Sequence, residues 1–76
     1  MIARLTGKVL ETTGDRIILD VNGVGYAVFA PASTLRKAGA VGSTLTLHTV
    51  MNVREDAIQL YGFATADEKG LFESVI

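Results

Sequence analysis

The side chains able to do covalent or metal chemistry are few in this sequence, and they stand apart. His48 is the single histidine and there is no cysteine, so no set of nitrogen and sulfur ligands at metal-binding spacing exists. A lone histidine inside an alternating run reads as a half-exposed sheet residue. Ser33, Ser43 and Ser74 have no histidine and acid arranged near them in sequence, which leaves nucleophilic catalysis without its machinery. Gly23 and Gly25 in "NGVGY" are two glycines one residue apart. A dinucleotide fingerprint needs a third glycine and a following helix, and here strand-forming residues follow, so the pair marks a turn. No catalytic residue, metal site or cofactor is expected.

What remains is "VMNVREDAIQLYGF", Val50 to Phe63, in which Arg54, Glu55 and Asp56 interrupt two apolar, strand-like runs. Charges at a hairpin tip are ordinarily there because the tip is wet. The flanks "VMNV" and "AIQLYGF", however, are apolar on both faces in places, which predicts a hairpin packed close to its tip. The other cations, Arg4, Lys8, Arg16, Arg36, Lys37 and Lys69, are scattered and offset by acids, as on a solvated mixed surface.

The totals set the frame for these residues. The chain has 76 residues, one proline, seven basic against eight acidic side chains and an apolar fraction of 49%. It amounts to one small domain. A domain this size buries only about 60% of the surface its unfolded chain exposes, and it is usually stapled or partnered. No disulfide is possible, so a mean hydropathy of +0.37 predicts apolar surface covered by other chains or by further sequence. The near-neutral charge argues against a chain that holds nucleic acid by bulk electrostatics. Arg4, Lys8 and Glu11 break any secretory apolar run, and nothing approaches the roughly 20 apolar residues of a membrane span. The expected compartment is the cytoplasm and no membrane partner is expected.

The elements that position these residues follow from period and punctuation. Ile2 to Glu11 reads as a strand in which Gly7 permits a bend or bulge. "TTGD" (Thr12 to Asp15) turns into a second strand, Arg16 to Val21. Asn22-Gly23 is among the strongest hairpin signals. A third strand follows, Val24 to Ala30, with Val24, Tyr26 and Val28 on one face. Pro31 ends it, and Ser33 as N-cap with Gly39 as C-terminal glycine frames a helix of one or two turns. Ser43 to Val53 alternates Leu45, Leu47 and Thr49 against Thr44, Thr46 and His48, a strand with one buried face. Ala57 to Phe63 sets Ile58 and Leu60 opposite Gln59 and Tyr61.

Five strands with a short helix between the third and fourth is the order of an all-β OB-fold, a small Greek-key barrel. The tail changes period: Thr65 and Glu68 have capping-box spacing, Asp67 favours the helix dipole, and Leu71, Phe72, Val75 and Ile76 form an apolar stripe. With no C-cap before Ile76, the sequence reads as a cut through a helix. The expected division is a barrel domain over 1–64 and the start of a truncated helix over 65–76.

Taken together, "MIARLTG", "VNGVGYAV", "VREDAIQLYGF" and "EKGLFESVI" resemble the N-terminal domain of the bacterial RuvA family, the Holliday-junction-binding subunits of the branch-migration complex. The four stretches occur in order across nearly the whole chain, and their common register carries the resemblance. It implies an OB-fold that assembles into a homotetramer, with a flat face receiving an open four-way junction DNA in recombination, repair and the DNA-damage response. It also implies a helix-hairpin-helix domain and a mobile third domain beyond Ile76. That third domain engages the RuvB ATPase, and the RuvC resolvase acts in the wider complex. The family's acidic pin falls on Glu55 and Asp56, with Arg54 beside it either as a phosphate contact or as a neutralising partner for Glu55. The ATPase activity belongs to RuvB, and this chain is expected to bind DNA weakly by itself.

Two other readings are open at this level. One is a generic single-strand-binding OB module, which would stack bases on Tyr26, Phe29, Tyr61, Phe63 and Phe72, although several of these rings are expected in the core. The other is a purely structural oligomerisation domain whose tip acids are solvated.

Overall fold

In the computed structural model, residues 2–75 are described, the last of them by its backbone only; the expected apolar contribution of Val75 and Ile76 lies outside the described side chains. The alternating and β-branched runs form strands β1 (Arg4–Thr12), β2 (Arg16–Val21), β3 (Val24–Phe29), β4 (Thr44–Val53) and β5 (Ile58–Phe63). Helix α1 (Ala32–Lys37) lies between β3 and β4, and α2 (Ala66–Val75) follows β5. The strands close a barrel in the order β1-β2-β3-β5-β4, so the OB-fold expected from the sequence is present. No helix among the described residues is long and apolar enough to cross a membrane.

Closure depends on β1, whose first half pairs with β4 (Arg4↔His48 to Lys8↔Thr44) and whose second half pairs with β2 (Lys8↔Asp20 to Thr12↔Ile17). The strand therefore bends from one neighbour to the other. The register shift that accompanies the bend falls between Val9 and Glu11, not at Gly7 as expected. Gly7 serves the bend differently. A side chain there would overlap the Asp20 carbonyl, so only glycine lets β1 approach β2 this closely.

The β2–β3 hairpin turns at Asn22 (φ 52) and Gly23 (φ 89), the two left-handed positions of a type I′ turn. The Asp20 carboxylate accepts the Gly23 N–H at 2.9 Å. On the far side the barrel is sealed by a short parallel contact, Phe29↔Tyr61, between β3 and β5.

The period-2 rows fill the interior with Leu5, Val9, Ile17, Leu19, Val28, Leu47 and Leu60, all buried. Helix α1 lies in the β3–β4 connection, bringing Thr34 and Ala38 into the interior. Its cap differs from expectation. Pro31, in extended conformation, is the N-cap residue and no side chain caps the helix; Ser33 lies inside α1 and donates to Glu68 Oε2 at 2.8 Å instead. Gly39 (φ +79) follows the C-cap Ala38 as expected. The start of α2 also follows the sequence, because Glu68 N–H donates to Thr65 Oγ1 at 3.2 Å and the Thr65 hydroxyl donates to Glu68 Oε1 at 3.3 Å.

Candidate functional site

The three consecutive charges sit at the tip of the β4–β5 hairpin. Six residue pairs hold that hairpin together, from His48↔Phe63 to Val53↔Ile58. The β1 ladder leaves β4 at His48, and the contact with β3 touches β5 only at Tyr61. The last two pairs, Asn52↔Gln59 and Val53↔Ile58, therefore form a two-stranded ribbon extending beyond the closed barrel, while Met51↔Leu60 still packs on its core. Arg54 N–H donates to the Ala57 carbonyl at 2.8 Å and closes the turn. No residue of the tip has a positive φ, so the turn forms without glycine or asparagine and all four positions remain free for other side chains.

Arg54, Glu55, Asp56 and Ala57 are all exposed. The ion pairs among the described residues are Arg16–Asp15 at 3.3 Å and Lys37–Glu68 at 4.0 Å, so Arg54 is bound to neither neighbouring acid. Two adjacent carboxylates thus stand unneutralised at the end of a projecting ribbon. In water their field reaches about a Debye length, roughly 8 Å at physiological salt. The tip repels a polyanion only when that polyanion comes close.

The expectation that the hairpin is packed near its tip does not hold within this chain. Val53 is 65% and Ile58 is 69% exposed, while Leu60, two residues along β5, is 8% exposed. The apolar period gave the correct face for Ile58 and Leu60. It carried no information about where the barrel beneath that face ends.

The other reactive side chains are scattered over the fold. His48 is half-buried in mid-strand between Arg4 and Phe63. Ser33 is bound to Glu68, Ser43 to the Ala40 carbonyl and Ser74 to the Leu71 carbonyl, so each hydroxyl is engaged in holding the fold. The rings are distributed differently from expectation. Of the five, only Phe63 is buried. Phe29, Tyr61, Phe72 and Phe63 form a chain of tilted contacts with centroids 6.0, 5.1 and 5.1 Å apart. They line an apolar cleft of about 320 Å³ together with Asp15, Ala30 and Pro31. The Arg16 guanidinium lies 5.0 Å over Phe29, and the Tyr61 hydroxyl donates to Gln59 Oε1 at 2.7 Å. These rings are engaged with one another and with α2, unlike the open row of platforms on which a single strand stacks.

The RuvA N terminal domain family matches residues 1–62. The chain is 46% identical over its whole length to the Holliday junction branch migration complex subunit RuvA of Chloroflexus aggregans. It is 50% identical to the protein of that name from Bordetella petrii and 51% to that from Stutzerimonas stutzeri, again over the whole chain. It covers 39%, 40% and 38% of these three relatives, so it spans about two fifths of their length. Matched by this family over residues 1–62 and by relatives 46% to 51% identical along its whole length, the chain belongs to the RuvA N-terminal domain family.

Proposed function

We propose that this domain is the assembly and junction-centre unit of a non-catalytic Holliday-junction-binding protein acting in branch migration. The observation that carries the reading is the unneutralised Glu55–Asp56 pair at the tip of a ribbon that projects beyond the barrel. In a four-fold assembly, four such tips converge beneath the crossover of an open four-way junction, where the phosphates of four strands also converge. Two unit charges about 4 Å apart repel by about 1 kcal/mol in bulk water and about 4 kcal/mol at an effective dielectric near 20. The repulsion is therefore greatest where protein and DNA exclude solvent. Glu55 and Asp56 steer phosphates off the axis and keep the crossover open, so that bases unpair on one arm and re-pair on the next. Some affinity is given up for selectivity, since continuous duplex laid across the tips meets the same repulsion with no opening to relieve it.

Arg54, free of both acids, reaches outward to a phosphate beside the axis. Motor activity is assigned to a RuvB ATPase engaged through parts of the protein outside these residues, and strand cleavage to a RuvC resolvase in the wider complex. The division at residue 64 separates the barrel from a helix that leads toward a helix-hairpin-helix domain.

The test is binding of the full-length protein to a four-way junction and to linear duplex at matched salt, with and without Glu55→Gln/Asp56→Asn. Tighter duplex binding and a narrowed junction preference in the double variant are expected. Unchanged affinities and an unchanged ratio would reduce the acids to wet turn residues and the domain to an assembly module.

A further inference from the structure

The inward-facing rows of β4 and β5 do not stop where the barrel stops. On β4 the row runs Leu47, Thr49, Met51, Val53, and on β5 it runs Gly62, Leu60, Ile58. Leu47, Thr49 and Leu60 are buried. Val53 and Ile58, paired directly across the last rung of the ladder, continue the same face beyond the interior and are 65% and 69% exposed. Side chains opposed in this way have Cβ atoms about 5 Å apart and form one surface. The other face of the ribbon carries the polar pair Asn52 and Gln59. A ribbon surrounded by water has no use for an aliphatic face, yet this one keeps an aliphatic pair immediately behind two carboxylates.

We propose that Val53 and Ile58 form an apolar shoulder that receives the unstacked nucleobases of the crossover; the proposal rests on the reading that the tip stands at the junction centre. Charge selects the occupant. A strand at the shoulder lies beside Glu55 and Asp56 across the four-residue turn, and those acids turn the phosphate side of the strand away. The side left facing the ribbon is the base, which is neutral and has apolar faces. A base drawn out of its stack loses contact on those faces, and aliphatic side chains restore part of it, as apolar wedges do in other DNA complexes. A second copy of the ribbon is the other available apolar surface. Convergence of the tips in a four-fold assembly does not by itself bring the shoulders into contact, and the sedimentation arm of the test separates a copy from a base. The acids therefore keep phosphates away, and the pair behind them stabilises what is left unpaired.

The test uses the full-length protein and the variant Val53→Thr/Ile58→Thr, which keeps the β-branched shape at two exposed positions. The probe is a four-way junction carrying 2-aminopurine, bright when unstacked, at the base pair bordering the crossover, read at saturating protein so that affinity does not enter. A rise in fluorescence on binding is expected with the natural protein, and an opening equilibrium about fivefold smaller with the variant, the scale of two truncated aliphatic contacts. Equal fluorescence in both proteins overturns the proposal. So does a natural protein that gives no rise, since the tip then lies elsewhere. Sedimentation of the two proteins without DNA provides the remaining arm, because a loss of assembly in the variant would make the pair a contact between copies. Glu55→Gln/Asp56→Asn, measured in parallel for its junction-to-duplex ratio, reports on the charges alone; an unchanged ratio there removes the steering role while the aminopurine signal still decides the shoulder.

Discussion

Glu55 and Asp56 differ from Asp15, Asp20 and Glu68 in what surrounds them. Those three acids accept from Arg16, from the Gly23 amide, and from Ser33 and Thr65 respectively, and so hold the fold together. The tip acids have no such partner among the described residues, which is what leaves them available for an outside charge. The opposite case is Thr34, which is fully buried and whose Oγ1 accepts the Ala64 N–H at 3.1 Å. Thr34→Val keeps the shape and leaves that amide without an acceptor, at a cost of about 1–3 kcal/mol. A urea midpoint equal to that of the natural domain would show that Ala64 finds another partner. The tip acids were legible in the sequence because three consecutive charges between apolar runs are conspicuous. The bond of Thr34 was not, since its partner lies thirty residues away. Ser33 was misassigned for a related reason: which hydroxyl caps a helix depends on where the helix starts, and Pro31 moved that start.

Helix α2 shows how an element is fixed by contacts remote in sequence. Its first turn carries Glu68, which accepts from Ser33 on α1 and lies 4.0 Å from Lys37. Lys69 Nζ donates to the Ala3 carbonyl at 3.4 Å, and Phe72 packs against Tyr61 and Phe63. The direction in which the chain leaves the barrel is set by these three attachments together. Glu68→Ala removes the link to α1 and the acceptor for Thr65. Faster amide exchange confined to α2 is expected, with a loss of about 1–2 kcal/mol in stability of the kind that follows a lost cap. Protection unchanged along α2 would mean that the aromatic contacts suffice. The capping signal was readable four residues at a time, and the described part of the apolar stripe divides between the barrel and solvent. Leu71 is 72% exposed while Phe72 is packed, because the barrel touches only one side of the helix that period alone assigns.

At the scale of the whole molecule, a chain with a net charge of −1 has little to offer a phosphate backbone beyond scattered cations. It also exposes Leu10, Val24, Val41, Val53, Ile58 and Leu71. The isolated domain is expected to bind four-way junction DNA weakly and to self-associate as its concentration rises, since apolar side chains on so small a surface favour association. Sedimentation velocity across a hundredfold concentration range and fluorescence anisotropy with a labelled junction measure the two properties. A monodisperse monomer at the highest concentration would show that the exposed aliphatic residues make no contacts between copies of the isolated domain.

The sequence by itself determined the five strands and their succession along the chain, the Asn22-Gly23 hairpin, the start of α2 and the position of the acids at a turn. Each of these is set by residues a few positions apart, where period, turn chemistry and capping act directly. The tertiary structure alone decided that β1 bends from β4 to β2 past Gly7, that four rings close into one cluster, and that the β4–β5 ribbon extends past the barrel with Val53 and Ile58 uncovered. Those features depend on where one ladder ends relative to another. Ladder length is set by the closure of all five strands, and no local pattern of residues encodes it.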